Sequence, residues 1–260
     1  MRIIILTSQR KGTASYCLPL LIARTKADIG MVIFNEGQVK KRWKHYKKKI
    51  EKIYRIGIVG AINGIRIRNW FHVNQINNTP TLDIEDICKA HNIPFHTTSS
   101  INCAQTETLF RSINPDLGLS LGNSYIGSRI FSIPAKGMIN MHGEVLPQFK
   151  NAQSIIWQLY EGNRQTGYTI HKIDKGIDTG KILKQEKFPI IFEDTLKKTV
   201  SSNCALILQN AAEGLVDVIN NFEYYNERSF HQVGGKSFTT PTIWQFLKIK
   251  KQFQKLKNQF

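Results

Sequence analysis

The sequence is poor in the features that mark secreted, membrane-spanning or metal-binding chains. Its 260 residues include four cysteines, which stand far apart, form no CxxC pair and have no histidine at zinc-ligand spacing. There is no apolar run of about 18 residues, and the short apolar run after Met1 is too brief for a signal peptide. We therefore expect a cytoplasmic protein with reduced thiols, no bound metal and no membrane span.

Acidic residues are also scarce. Thirty-six Lys and Arg face 19 Asp and Glu, for a net charge of +17. Residues 38–55 hold nine Lys or Arg and one Glu, and residues 248–260 hold five Lys and no acid, so these 31 residues carry 13 of the 17 charges. Such segments are typical of solvated helix faces, but they also bind nucleic acid, anionic membranes or phosphorylated substrates.

Apolar side chains alternate with the cations of residues 39–55. Trp43, Tyr46, Ile50 and Ile53 are separated by three, four and three positions, which places them on one face of a helix. We therefore expect a surface helix with a docked apolar stripe and not a disordered arm.

Strand-like and helix-like segments alternate along most of the chain. Strands are predicted at residues 2–7, 29–34, 93–96, 117–121, 138–142 and 168–173, and helices at 15–23, 84–91, 105–113, 152–160, 194–220 and 242–257, with Thr79-Pro80 as a helix start signal. This alternation predicts an α/β fold with a Rossmann-like, mainly parallel sheet and helices on both faces. The pattern changes near residue 222, and residues 223–241 have strand character. We expect a main domain over 1–222 and a short C-terminal strand-plus-helix appendage over 223–260.

The predicted strand 138–142 ends in residues that suit acyl chemistry. Asn140 and His142 alternate onto one face, at the carboxyl edge where open α/β sheets bind ligands. The amide donates to a developing oxyanion, and the imidazole polarises the same oxygen or moves a proton. The loop 174–180 supplies a carboxylate, Asp178, that would orient the imidazole. By spacing alone, a turn cap, a strand-end histidine and an ordinary turn aspartate are the favoured explanations of the three residues.

A longer match favours the catalytic interpretation. Residues 139–183, INMHGEVLPQFKNAQSIIWQLYEGNRQTGYTIHKIDKGIDTGKIL, resemble the core signature of the folate-dependent formyltransferases. They contain its Asn-x-His, the following Leu-Pro, a Gly-x-x-x-x-Gly-x-Thr and a closing Asp-x-Gly-x-Asp-x-Gly. Weaker resemblance extends over residues 90–215. The resemblance implies that residues 1–222 are a formyltransferase catalytic domain.

The resemblance implies transfer of a formyl group from N10-formyltetrahydrofolate to a primary amine, with Asn140, His142 and Asp178 as catalytic residues. His171 also falls at a family position near the site, although a core or strand-edge role fits it equally. The folate would contact two loops largely through main chain. These loops comprise Gly122, Asn123, Ser124, Tyr125, Ile126, Asp174, Lys175 and Gly176.

The acceptor amine is less well specified, because Glu144 and Asn151 depart from the residues usual in the family. Candidate acceptor contacts are Arg10, Lys11, Glu144, Lys150 and Asn151. The tail 226–251 resembles the short ends of sugar N-formyltransferases. That resemblance implies a homodimer acting on a nucleotide-linked amino sugar, such as a dTDP- or UDP-4-amino-4,6-dideoxyhexose, in O-antigen and lipopolysaccharide biosynthesis.

Three alternatives remain open. One is a methionyl-tRNA formyltransferase with a reduced C-terminal domain, since the chain is strongly basic. Another is a basic nucleic-acid-binding protein on a degenerate formyltransferase scaffold, and a third is a hydrolase that deformylates the folate. We do not expect a nucleic-acid partner, because the charge is concentrated in two segments and a nucleotide diphosphate also favours a basic rim.

Overall fold

The computed structural model describes residues 1–37, 43–71, 81–151 and 155–259. The strands are β1 (Arg2–Thr7), β2 (Asp28–Asn35), β3 (Phe95–Thr98), β4 (Leu117–Ser120), β5 (Met138–His142), β6 (Phe149–Lys150), β7 (Gln165–Lys172), β8 (Ile182–Pro189) and β9 (Lys236–Ser237). The helices are α1 (Thr13–Arg24), α2 (Trp43–Arg68), α3 (Ile84–Ala90), α4 (Ala104–Ile113), α5 (Ser128–Phe131), α6 (Ile156–Tyr160), α7 (Leu196–Asn220), α8 (Phe222–Glu227) and α9 (Ile243–Lys257), and a 3-10 turn covers Asn69–Phe71.

Seven strands form one sheet in the order β3-β2-β1-β4-β5-β7-β8, and β6 and β9 pair separately. The first five strands run parallel, and β7 and β8 extend the sheet antiparallel. The interior strand β1 is buried on both faces, as its unbroken apolar sequence predicts. Ile3 and Ile5 pack with residues of α1 and α7, whereas Ile4 and Leu6 pack with residues of α4 and α5. The predicted mainly parallel α/β fold with helices on both faces is confirmed.

Strand β8 is not among the sequence predictions. Its sequence, ILKQEKFP, is polar in the middle, and most of its residues are partly or fully exposed. It forms through backbone pairing with β7 at the edge of the sheet, so its side chains need not be apolar. Backbone pairing with the preceding strand, which requires no apolar periodicity in the sequence, formed this strand.

The region after residue 222 differs from its predicted strand character. Helix α8 covers Phe222–Glu227, and β9 is only two residues long. The last helix agrees with prediction, since Thr242 and Gln245 form a capping box at its start. Its residues Phe246 and Ile249 belong to the same apolar cluster as the main core. The domain boundary near 222 stays a prediction.

The helix α3 is capped by Asp83, which lies nearer to its first residue than the predicted start signal does. The carboxylate of Asp83 accepts a hydrogen bond from the backbone N–H of Glu85 at 3.0 Å, which satisfies a free donor of the first turn. The predicted start signal Thr79-Pro80 lies outside the described residues, as do residues 152–154 of the predicted helix 152–160.

The basic segment forms α2, which is interrupted at Gly57, where φ is 74°. Ile50 and Ile53 are 53% and 43% exposed, so the predicted docking of their stripe is wrong for these two residues. The helix docks instead through Ile56 and Ile67, because the bend turns a different face toward the protein. The predicted contacts of Trp43 and Tyr46 lie outside the described side chains.

Across the ranges that the structure describes, no helix has both the length and the apolar character needed to cross a bilayer.

Candidate active site

The carboxyl ends of β1 and β4 are joined by the side chain of Asn123. Its amide nitrogen donates to the carbonyl of Leu6 and to the hydroxyl of Ser120, and its oxygen accepts from the hydroxyl of Ser8 at 2.9 Å. Asn123 thereby holds the loop 122–126 against the edge of the sheet. Ligands of open α/β folds bind at this edge.

The next strand places Asn140 and His142 at the same edge. Asn140 lies directly opposite His171 of the antiparallel neighbour β7, and their side-chain nitrogens Nδ2 and Nε2 are 3.3 Å apart. His142 Nε2 lies 3.2 Å from the carbonyl oxygen of Phe149. Since a carbonyl only accepts, His142 carries a proton on Nε2.

The loop after β7 is a tight turn that holds Asp178. Asp174 Oδ1 accepts from the backbone N–H of Gly176 at 2.9 Å and from the hydroxyl of Thr179 at 2.5 Å. A Cβ on Gly180 would lie 1.8 Å from the carbonyl oxygen of Lys172, so only glycine fits there. Asp178 has a φ of 53°, a left-handed conformation that aspartate tolerates better than most residues.

The structure brings the predicted trio together. Asp178 Oδ2 lies 3.9 Å from His142 Nε2, and Asp178 Oδ1 lies 3.7 Å from His171 Nε2. The carboxylate is held by the backbone N–H of Asn151, which donates to Oδ2 at 2.8 Å. The side chains of His142 and Asp178 are 14% and 15% exposed, so both are shielded but reach a cleft.

His171 is neutral and orients Asn140. Burial and the nearby His142 lower the pKa of His171 to about 4. Its Nδ1 lies 2.8 Å from the carbonyl oxygen of Lys172, so Nδ1 holds the single proton and Nε2 is an acceptor. Asn140 Nδ2 therefore donates to His171, which fixes the amide nitrogen on that side. The second N–H of the amide remains for another acceptor.

These groups line an open cleft of about 520 Å³. Its lining includes the trio, His171 and most of the predicted folate residues, namely Gly122, Asn123, Ser124, Tyr125, Ile126, Asp174 and Gly176. Lys175 is absent from the lining, but its carbonyl accepts from the hydroxyl of Tyr125 at 3.5 Å. That contact joins the two predicted folate loops across the cleft.

Most of the candidate acceptor contacts lie elsewhere. Asn151 lines the cleft, whereas Arg10, Lys11, Glu144 and Lys150 do not. Glu144 is fully buried and accepts a hydrogen bond from Gln158, so its predicted contact with the acceptor is wrong. The motif does not show which of its positions are buried. The burial of Glu144 follows from its contacts with Gln158 and with Thr169 of β7, whose hydroxyl donates to the carbonyl of Glu144.

The predicted basic rim is also wrong for two of its cations. Arg10 forms ion pairs with Asp83 and Glu85, which hold it at the start of α3. Lys150 donates from Nζ to the carbonyl of Gly234 at 2.8 Å. Lys11 is exposed and stands outside the cleft. Each paired cation is therefore used within the protein.

Several lining residues were absent from the sequence analysis. They are Ser120, Met141, Ile173, Ile177 and Thr179. Ser120 had a usable signal, because it ends β4 directly beside Asn140 in the parallel register. Ile177 and Thr179 had another, since they lie within the recognised loop motif.

A comparison with known protein families gives a match over the segment that carries the cleft. Residues 90–218, about half of the chain, match the family described as formyl transferase. The chain belongs to the formyl transferase family. This confirms the resemblance predicted from residues 139–183. The matched segment contains the cleft residues from Ser120 to Thr179.

The curated relatives of this chain are named for different acceptors. A methionyl-tRNA formyltransferase of Kosmotoga olearia is 28% identical over 159 residues, covering 59% of this chain and 49% of the relative. A GDP-perosamine N-formyltransferase of Brucella melitensis is 30% identical over 113 residues, covering 43% of each. The chain thus matches less than half the length of these relatives.

Solved structures share the fold of this chain. Glycinamide ribonucleotide transformylase 1 from Symbiobacterium toebii gives a TM-score of 0.58 at 16% identity, covering 93% of this chain and 94% of that one. The sugar 3N-formyl transferase WlaRD, solved in the presence of dTDP and 5-N-formyl-THF, gives 0.53 at 16% identity and covers 91% and 69%. At such identities the likeness establishes the fold alone.

Proposed function

We propose that this chain is an N-formyltransferase that moves the formyl group of N10-formyltetrahydrofolate to the primary amine of a nucleotide-linked amino sugar. One observation carries the proposal. The amide of Asn140, the imidazole of His142 and the carboxylate of Asp178 converge on one open cleft. Membership of the formyl transferase family supports the reaction class.

The folate site of this proposal consists of residues 122–126 and 174–176. These two loops border the cleft next to the trio, and the contact between Tyr125 and Lys175 joins them. Ile126 and Ile173 add apolar surface to the lining, which suits a flat heterocycle, while backbone groups of the loops provide polar contacts. Bound there, the folate supplies an activated formyl group.

Asn140 is the proposed oxyanion donor. One of its amide protons is engaged by His171, so the second donates to the formyl oxygen as negative charge develops there. A donor fixed in advance stabilises the transition state more than the ground state, because it does not have to reorganise.

His142 and Asp178 are the proposed proton carriers. The Nε2–H of His142 donates to the carbonyl of Phe149, so polarisation of the formyl oxygen requires a second proton on Nδ1, which then donates to that oxygen. As the amine nitrogen bonds to the formyl carbon, Asp178 accepts the proton that the amine loses. The bond from the carbon to N10 then breaks, and the proton passes to N10. The products are a formamide and tetrahydrofolate.

The acceptor is the more specific part of the proposal. A dTDP- or UDP-4-amino-4,6-dideoxyhexose, used for O-antigen and related lipopolysaccharides by a cytoplasmic homodimer, agrees with the tail 226–251. The GDP-perosamine relative and the dTDP-containing structural neighbour support a nucleotide-linked sugar. A second candidate acceptor is methionyl-tRNA, favoured by the Kosmotoga relative and by the net charge of +17.

A panel assay tests the acceptor. The purified chain is given N10-formyltetrahydrofolate together with dTDP-, UDP- or GDP-linked sugars that carry the amine at C3 or C4, and product mass is followed. We expect the mass gain of one formyl group on at least one sugar and none on methionyl-tRNA.

Three outcomes contradict the proposal in different ways. Formylation of methionyl-tRNA alone would replace the sugar with the second acceptor. Loss of formate from the folate with no acceptor product would indicate a hydrolase. Absence of folate binding, with salt-dependent RNA binding, would leave only the nucleic-acid-binding alternative.

A further inference from the structure

The outward side of α2 carries a row of exposed aliphatic side chains. Ile58, Ile62 and Ile65 are 72%, 64% and 64% exposed, and their spacing of four and three places them on one helical face. We name these three residues the isoleucine row. Gly60 and Ile67 are buried and lie two residues from members of the row, about 200° around the helix. The helix is therefore docked on one side and presents isoleucine to solvent on the other.

The same helix is basic, mostly before its break. Its 26 residues contain eight Lys or Arg and a single acid, Glu51; six of the cations precede the break at Gly57, and two follow it in the segment that carries the isoleucine row. Lys47, Arg55 and Arg68 are exposed. Scattered apolar residues are normal on protein surfaces, but a contiguous aliphatic row next to a basic helical segment is typical of helices that lie in a membrane interface.

We propose that α2 binds the surface of an anionic lipid bilayer. The isoleucine row enters the boundary between headgroups and acyl chains, where its exposed apolar surface leaves water. The exposed side chains of Lys47, Arg55 and Arg68 contact the anionic headgroups, which attract basic segments near the surface. The proposed attachment is peripheral, with the helix lying in the interface.

Charge complementarity favours lipid over the other possible occupants. A second copy of the chain would bring two basic helices together, and their repulsion opposes pairing through this face. A nucleic acid would attract the cations, but it would leave three isoleucines against phosphate and water with no gain. An anionic bilayer satisfies both the charge and the apolar row.

The inference does not depend on the proposed function, because α2 precedes the segment 90–218 that matches the formyl transferase family. Binding is measured without folate or acceptor. Failure to bind membranes would therefore leave the enzymatic proposal intact, and the reverse also holds.

Vesicle flotation with the full chain tests the proposal. We expect binding to vesicles of phosphatidylcholine mixed with phosphatidylglycerol, little binding to phosphatidylcholine alone, and weakening at about 1 M salt. The triple variant Ile58→Ser, Ile62→Ser, Ile65→Ser should lower the partition coefficient roughly 100-fold, because each isoleucine loses its apolar burial.

The matched control changes equally exposed apolar residues elsewhere. Ile191→Ser, Tyr224→Ser, Val233→Ser alters side chains that are 49%, 54% and 87% exposed, and it should bind like the wild type. Unchanged circular dichroism in both variants shows that the fold is kept.

Several results would overturn the proposal. They are equal flotation of wild type and triple variant, equal binding to neutral vesicles, or no flotation. A wild-type dimer that the triple variant converts to a monomer would assign the face to a second copy. RNA binding that the triple variant weakens would assign it to nucleic acid.

Discussion

The strand-end cleft and the outer face of α2 break the usual distribution of polar and apolar residues in opposite directions. In the cleft, side chains that can carry charge are shielded, with His171 only 4% and Asp178 15% exposed. On α2, isoleucines that favour burial are exposed by 64% to 72%. Both departures cost stability locally. The cleft compensates within the chain by hydrogen bonds, whereas α2 has its compensation only if something outside the chain covers it.

Removing the amide of Asn140 should give the largest effect on the cleft side of this comparison. For Asn140→Ala we expect turnover to fall about 10²- to 10³-fold, because the oxyanion loses its donor. Steady-state kinetics on the acceptor found in the panel assay measure this. His96→Ala, an exposed histidine of β3, is the control and should keep full activity. Near-normal turnover in Asn140→Ala would remove Asn140 from the mechanism.

A methyl group at Gly180 should disturb the cleft and not the helix. The added Cβ would meet the carbonyl of Lys172 at 1.8 Å, so we expect Gly180→Ala to lower the free energy of unfolding by about 3 kcal/mol and to reduce turnover. Gly60→Ala in α2 is the matched control, because its nearest neighbour atom would lie at 3.4 Å. Urea unfolding measures the free energy of unfolding of both variants. Equal stabilities would mean that the loop around Asp178 adjusts freely.

The neutral His171 should make stability depend on pH. Its folded pKa, about 4, lies below the ordinary 6.5, so the two states bind the same number of protons above pH 6.5. Between pH 6.5 and 4 the unfolded chain takes up a proton that the folded chain does not. The free energy of unfolding therefore decreases as the pH is lowered, by roughly 2 kcal/mol for this group.

The variant His171→Gln isolates this contribution. Urea unfolding at pH 7 and pH 4.5 gives the free energy of unfolding of the variant minus that of the wild type. We expect this difference to be more favourable to the variant at pH 4.5 than at pH 7. A difference that stays constant with pH would mean that His171 has the same pKa in the folded and the unfolded chain.

The smallest effect is expected for the exposed row on α2. Ile62→Ser should change the free energy of unfolding by less than about 0.5 kcal/mol, since its side chain is already in water. Ile67→Ser, on the buried side of the same helix, should cost about 3 kcal/mol. If Ile62→Ser were equally destabilising, the row would be covered by the protein itself, and the comparison with the cleft would fail.

The sequence predicted the part of the molecule around the cleft well because its signals are local. Apolar runs predicted β1 and β5, helical periodicity predicted α9, and two glycines with two acids predicted the loop of Asp178. The trio followed from strand alternation and the formyltransferase resemblance. Its side chains meet where two strand ends and one loop converge.

The missed features depend on contacts that no local pattern records. Strand β8 exists because the preceding strand β7 pairs with it, and the cation of Arg10 is used by Asp83 and Glu85, about 75 positions away. Burial of Glu144 depends on its contact with Gln158 of α6, which the motif does not predict.

By itself, the sequence determined the alternation of strands and helices, the residues that can do the chemistry and the concentration of charge in two segments, since each follows from neighbours along the chain. The tertiary structure decided which of those residues share the cleft, which cations are already paired, and which face of α2 meets water. These outcomes depend on packing between segments that are close only after folding, and no local pattern records that proximity.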